Sequence, residues 1–260
     1  MPSSKMRLLA LGLAAVTLVP GAASARGHDG LIEPSLTVSH GDAAHPHVAL
    51  TFDACSGHTD MRILDTLFAE RIPATIFVTG RWLKRNGDVV KRLKTRPDLF
   101  EIENHGLNHV PAVDHPASIY GIAAAGSARA VAEEVEGGAA AITAAGFPAP
   151  HVFRGATALY TRSALVEINT LGFAIGGFSL NGDQGASLPA ATVTRRISAA
   201  RDGDVVIAHI NQPGRASGAG VAAAIRALKA RGTVFVRLDQ GRQEPAALRP
   251  AALAAVTPAP

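Results

Sequence analysis

Two histidines four residues apart, His105 and His109, close the stretch Glu103-Asn104-His105-Gly106-Leu107-Asn108-His109 behind a short apolar run, Leu99-Phe100-Glu101-Ile102. On one turn of helix their side chains would lie about 5 to 6 Å apart at Cβ, near enough for two imidazoles to converge on one divalent metal. A metal that keeps an open coordination position does hydrolytic chemistry, whereas a closed four-ligand site holds a fold. The zinc metallopeptidase helix needs a glutamate directly after the first histidine, and Gly106 fills that place. Two unrelated surface histidines would give the same spacing. The rest of the chain has to decide.

Other groups suited to chemistry stand where short apolar runs end: Asp53, Arg154, Asn181 with Asp183, and His209. Each alone reads as a cap, a structural arginine or a satisfied core histidine; their recurrence at one kind of position does not. The runs themselves fall at residues 48–52, 74–78, 99–102, 152–153, 173–178, 204–208 and 233–238, and helical patterns fill most of the spaces between them. The predicted helices cover about residues 60–71, with Asp60 as N-cap, and then 88–94, 128–145, 162–171, 191–200 and 218–231. Alternation of this kind predicts an α/β fold with about seven parallel strands in one domain. Polar residues at several different strand ends favour a distorted (β/α) barrel over an open sheet. No Gly-x-Gly-x-x-Gly follows the first strand, which argues against a dinucleotide fold.

Residues 1–25 read as a secretory signal peptide, with Lys5 and Arg7 before an apolar core at 8–19 and Ala23-Ser24-Ala25 as the cleavage site. That core is too short to span a membrane, and no cysteine follows the cleavage site to take a lipid. A mature protein in the periplasm or outside the cell is expected, with no stable membrane insertion. Cleavage would leave 23 basic against 21 acidic residues, a balance that gives no nucleic-acid footprint. The single cysteine, Cys55, rules out an internal disulfide. The expected organisation is a lead-in at 26–46, a catalytic domain at 47–240 and a disordered Ala/Pro-rich tail at 241–260.

Leu50-Thr51-Phe52-Asp53, Asn104-His105 with His109, Phe153-Arg154, and Gly203-Asp204-Val205-Val206-Ile207-Ala208-His209 occur in an order that resembles the NodB-like polysaccharide deacetylases, carbohydrate esterase family 4. The resemblance spans about residues 47–238. It implies a divalent metal, usually zinc, with cobalt or nickel as alternatives, and removal of acetyl groups from N-acetylated sugars. It also implies that His105 and His109 bind the metal and that Asp53 is the catalytic base. Arg154 would orient that base, and His209 would be the general acid toward the leaving amine. The oxyanion would face the metal and a backbone N–H near Thr157.

The chain departs from that pattern in three places. The family's Thr-Phe-Asp-Asp-Gly becomes Thr51-Phe52-Asp53-Ala54-Cys55-Ser56-Gly57, so alanine stands where a metal-binding aspartate is expected. A water, Asp53 itself, or Asp60, His58 or Cys55 could take that place, or activity could be lost. The family's Arg-Pro-Pro-Tyr-Gly becomes Arg154-Gly155-Ala156-Thr157-Ala158, with Tyr160 as the nearby tyrosine expected to touch sugar. The Asp-Trp pair becomes Asn181-Gly182-Asp183, and Asp183 is expected near Arg154 or the substrate. Trp82 reads as core or rim, and His28, His40, His45, His47, His115 and His151 as structural or solvated.

The resulting expectation is a monomeric, exported metal-dependent N-deacetylase with an N-acetylated glycan as partner. Its substrate would be peptidoglycan, a chitin-like oligomer or an exopolysaccharide. A non-catalytic carbohydrate-binding protein on the same barrel, or a hydrolase of another acyl amide or acetyl ester, are the alternatives.

Overall fold

A computed structural model of the protein describes Met1 and residues 30–241. Apart from Met1, the expected signal peptide lies outside the described residues, as does all but the first residue of the expected tail. The elements run β1 (His47–Ala54), α1 (Met61–Glu70), β2 (Ala74–Val78), α2 (Gly80–Arg85), α3 (Gly87–Lys94), β3 (Phe100–Asn104), a hairpin of β4 (Ser118–Ile119) and β5 (Ile122–Ala123), and α4 (Ala128–Ala144). There follow β6 (Val152–Phe153), α5 (Arg162–Thr170), β7 (Ala174–Ile175), β8 (Leu180–Asn181), α6 (Ala190–Ser198), β9 (Asp204–His209), α7 (Ser217–Ala230), β10 (Val234–Val236) and α8 (Leu238–Gly241).

Seven strands pair in the order β7-β6-β3-β2-β1-β9-β8, and β10 joins beside the start of β1. Every pairing in this sheet is parallel. The sheet curls into an open barrel with helices around it, as the alternation of strands and helices predicts. β7 and β8, its two ends, do not pair. The lead-in runs antiparallel along that gap, bridging Tyr160 through Ile32 and Asp204 through Thr37, with Phe178 donating to the carbonyl of Pro34. Leu36 and Val38 are buried there against the barrel interior.

Strand alternation sorts side chains into two layers. On β1, Val48, Leu50, Phe52 and Ala54 pack outward into the large cluster under the helices, while Ala49 packs inward with Phe77 of β2 and Val205 and Ile207 of β9. Asp53 and His209 therefore belong to the inward rows of their strands. The register then aligns the strand ends: Asp53 pairs with His209 and with Phe77, Val78 with Asn104, and Asn104 with Phe153. One rim of the barrel thus carries Asp53, His209, His105 and Arg154 in neighbouring positions.

Four local features differ from the sequence reading. The strand expected at 173–178 is only Ala174–Ile175, because the carbonyls of Gly176 and Gly177 turn to Arg154 instead of a strand partner. Helix α2, the β4–β5 hairpin and β8 are too short to show a period. Asp60 does cap α1, accepting from the N–H of Arg62.

Candidate active site

The histidine pair is not helical. His105 follows the last residue of β3 and His109 sits in a loop with φ 64°, so the 5.1 Å between their rings comes from a turn rather than from a helical step. Gly106 makes the turn possible: its φ is 86°, and a Cβ there would collide with Glu134. Glu134 holds the loop in place, accepting from the N–H groups of Asn108 (2.8 Å) and Val110 (3.0 Å). It lies in the buried stripe of α4, with Val131, Val135, Gly138 and Ile142. A glutamate at an apolar position of that periodicity was the available signal, and the sequence reading missed it. Asn104 completes the clamp, accepting from Gly106 N–H and donating to the carbonyl of Val135, both at 2.8 Å.

His105 is 1% exposed, and its Nδ1 lies 2.5 Å from the carbonyl of Arg154. A carbonyl can only accept, so Nδ1 carries the proton and Nε2 presents its lone pair, the arrangement metal-binding histidines adopt. Burial holds His105 in the neutral form, and burial, with the adjoining His105 ring as the next cause, pushes His109 down to about 3. On the other side of Nε2 lies Cys55 Sγ, at 3.6 Å. Donor atoms of Cys55, His105 and His109 all fall within 4.8 Å of one another, and this set of two imidazoles and a thiol suits a divalent transition metal.

The carboxylates take other parts. Asp53 was expected as base and also as metal ligand, but it is absent from that donor cluster: Oδ1 is bound by Arg154 Nη1 at 2.9 Å, and Oδ2 lies 3.8 Å from His105 Nε2. Burial alone would raise its pKa, but the electrostatic pull of the His105 ring, Arg154 and His209 outweighs it and holds the carboxyl below its usual range. Arg154 is fully buried, donating also to Thr51 Oγ1, Gly176 O and Gly177 O, with its guanidinium 4.1 Å above the Phe77 ring. Asp60 is engaged by Arg62 and the α1 N-terminus, and His58 is exposed outside the cluster. Ala54 packs in the outer hydrophobic layer.

Asp183 corrects another expectation. It is fully buried and bonds neither Arg154 nor the open cleft; its two oxygens accept from His209 Nδ1 (2.9 Å) and His209 N–H (2.7 Å). Burial would lower the His209 pKa, but the Asp183 hydrogen bond and charge override it and leave it raised. Tyr160 is corrected too. It is 1% exposed, and its hydroxyl accepts from Gly155 N–H at 2.7 Å, so it braces the loop after Arg154 instead of meeting substrate.

A cleft of about 550 Å³ opens over these groups, with Asp53, Cys55, His109, Thr157 and His209 in its walls. That volume suits a small ligand or one or two sugar units. Thr157 holds φ 72°, a strained value for a β-branched residue and of the kind that collects at functional sites. Tyr120 at the hairpin tip and Asn211 after β9 also line it, and neither was singled out from sequence. Trp82 is buried in the core under α2. A second cavity, of about 520 Å³ beside Glu101 and Glu103, contains none of these rim residues.

Residues 40–176 match the family model described as polysaccharide deacetylase. No curated protein sequence matches the chain. Among solved structures, a family 4 carbohydrate esterase from Streptomyces lividans in complex with acetate superposes with a TM-score of 0.61 at 18% identity, covering 78% of this chain and 100% of that one. A family 4 acetyl xylan esterase from Clostridium thermocellum in complex with a cobalt ion gives 0.60 at 23% identity, with 74% and 88% covered. A family 4 pseudoenzyme from Bacillus anthracis gives 0.59 at 18% identity, with 76% and 66% covered. At these identities the likeness is one of fold.

Proposed function

The chain belongs to the polysaccharide deacetylase family, and from that premise we propose that it is a metal-dependent hydrolase that removes N-acetyl groups from amino sugars of a glycan. The observation that carries the reading is the convergence, around one cleft, of His109 with the buried His105 beside it, an Arg154-held carboxylate and an Asp183-held histidine. His105 and His109, with a third donor from the loop after β1, would hold the metal. When bound, it supplies Lewis-acid polarisation of the acetyl carbonyl and a water of lowered pKa.

The chain's own groups do the rest. Asp53, kept ionised by Arg154, takes a proton from the attacking water. His209 donates through Nε2, because Asp183 fixes the other ring nitrogen and favours the charged imidazole. The sugar nitrogen receives that proton and leaves as an amine, with acetate as the second product. A backbone N–H near Thr157 faces the oxyanion. Asp183 and Tyr160 act as positioning residues behind this set.

Release of acetate from N-acetylglucosamine oligomers or peptidoglycan, abolished by a strong chelator and restored by zinc, cobalt or nickel, is the expected result. Activity that survives both chelation and His105→Ala would falsify the mechanism. Ala54 favours a second reading, a non-catalytic carbohydrate binder, and a family 4 protein described as a pseudoenzyme is among the similar structures. Sugar binding with no metal uptake and no turnover would establish it. A screen of sugar amides against acetyl esters separates N-deacetylation from the chemistry named for the acetyl xylan esterase.

We further place the mature protein outside the cytoplasm as a monomer, with a glycan and no nucleic acid as its partner, on the strength of residues 1–25 and the near-neutral charge. Among the described residues no helix is long and apolar enough to cross a membrane. Fractionation of a tagged chain with mass measurement of its N-terminus tests the export and the cleavage near Ala25.

A further inference from the structure

We infer that Cys55 is the third protein donor of the metal, bound as a thiolate, so that the centre is Cys-His-His where the family pattern expects an aspartate beside two histidines. The inference rests on the metal-dependent reading above and names the group that replaces the missing carboxylate.

Geometry carries it first. Zinc bonds of about 2.3 Å to sulfur and about 2.0–2.1 Å to imidazole nitrogen, held at a tetrahedral angle, place the two donors about 3.6 Å apart. Cys55 Sγ and His105 Nε2 are 3.6 Å apart, and His109 offers the third atom within 4.8 Å of both. The loop that presents the sulfur is fixed by polar clamps: Thr79 Oγ1 donates to the Cys55 carbonyl, and Asn86 Nδ2 donates to the Gly57 carbonyl at 3.1 Å while its Oδ1 accepts from Thr59 N–H at 3.0 Å. The carboxylate alternatives lie outside this donor cluster, with Asp53 Oδ1 held by Arg154 and Asp60 held by Arg62 and the α1 cap.

Asn211 is the independent observation. It is 2% exposed, lines the cleft with Cys55, and neither Nδ2 nor Oδ1 has a hydrogen-bond partner. Leaving a buried carboxamide without partners is unfavourable, so such a group marks an absent partner. Burial, then the neighbouring charges of Asp53 and Asp183, push the Cys55 thiol well above its usual range, so it is the cation that must displace the proton. An amide N–H facing a metal-bound sulfur is the kind of outer contact that orients metal ligands. On metal binding the Cys55 proton passes to solvent, one proton per ion, and the sulfur lone pair forms the new bond. A thiolate beside two imidazoles selects zinc or cobalt over magnesium, calcium or manganese.

The chain has one cysteine, which makes the test clean. Protein stripped with a chelator and given one equivalent of Co²⁺ should show a near-ultraviolet thiolate-to-cobalt charge-transfer band. Zinc should protect the single thiol from an aromatic disulfide reagent. Cys55→Ser and Cys55→Ala, checked for native fold by circular dichroism, should lose the band and bind metal at least tenfold more weakly. Stoichiometric Co²⁺ binding with no such band, or an alanine variant of unchanged affinity, overturns the inference and leaves the metal-dependent reading standing: Cys55 would then be a thiol hydrogen-bonded to His105. Absence of metal binding by the wild-type protein overturns both.

Discussion

Asp53 with Arg154, and His209 with Asp183, are two ion pairs on neighbouring strands with their polarity reversed. In each, the strand-end group faces the cleft and its partner is sealed behind it: Arg154 and Asp183 have side chains 0% exposed. The partners differ in how much else depends on them. Arg154 also binds Thr51, Gly176 and Gly177 and stacks on Phe77, so it ties four segments of the barrel together. Asp183 gives both side-chain oxygens to His209 alone. The first pair belongs to the fold as much as to the site, whereas the second is a device for setting one imidazole.

The largest effect should follow from breaking the first pair. Arg154→Met leaves the Asp53 carboxylate buried without its partner and frees two buried carbonyls, a loss of about 3–5 kcal/mol. For a chain of this size that is a melting-temperature drop of about 10 °C or more. Calorimetry showing a shift of a degree or two would erase the distinction between the pairs. The second pair should separate chemistry from stability. His209→Asn keeps a donor for Asp183, so the melting temperature should hold while kcat falls about 10²- to 10⁴-fold.

Asp183→Asn sharpens the contrast by a smaller step. Because Asp183 raises the His209 pKa, the charged, proton-donating form persists above the ordinary value of 6.5. Losing that carboxylate should move the basic limb of the kcat profile toward lower pH. Stability must follow the same sign. A histidine raised in the folded state stabilises fully below its unfolded pKa, and that contribution disappears as pH rises through the folded value. The wild type should therefore gain stability over the variant on acidification through this window, read by melting at fixed pH steps. An unchanged pH profile would show that Asp183 serves packing only.

Sequence carried most of the strand-end chemistry because it is local: a polar residue closing an apolar run has a position as well as an identity. The register that aligns Asp53 with His209 is not local, and neither is the hold of Glu134 on the histidine loop, formed across 24 to 26 residues. The histidine pair shows the limit most clearly. Its four-residue spacing fitted a helical turn, but Gly106 at positive φ produced the same convergence from a loop. Tyr160 and Asp183 were misplaced for a related reason, since proximity in sequence to the motifs says nothing about which side of the barrel wall a side chain enters.

Tyr160 provides the smallest and most discriminating test of that last point. If it touched sugar, as its place after Arg154 suggested, Tyr160→Phe would raise KM. The geometry assigns it to the first, structural pair instead: its hydroxyl satisfies Gly155 N–H one residue beyond Arg154, in a packed cluster with Phe153 and Leu165. Removing the oxygen leaves a buried N–H unpaired, which costs about 1–3 kcal/mol and lowers the melting temperature by a few degrees. KM should not move, and kcat should fall only as far as the loop through Thr157 relaxes. A rise in KM at unchanged stability would return Tyr160 to the cleft and break the division between a braced wall and a tunable imidazole.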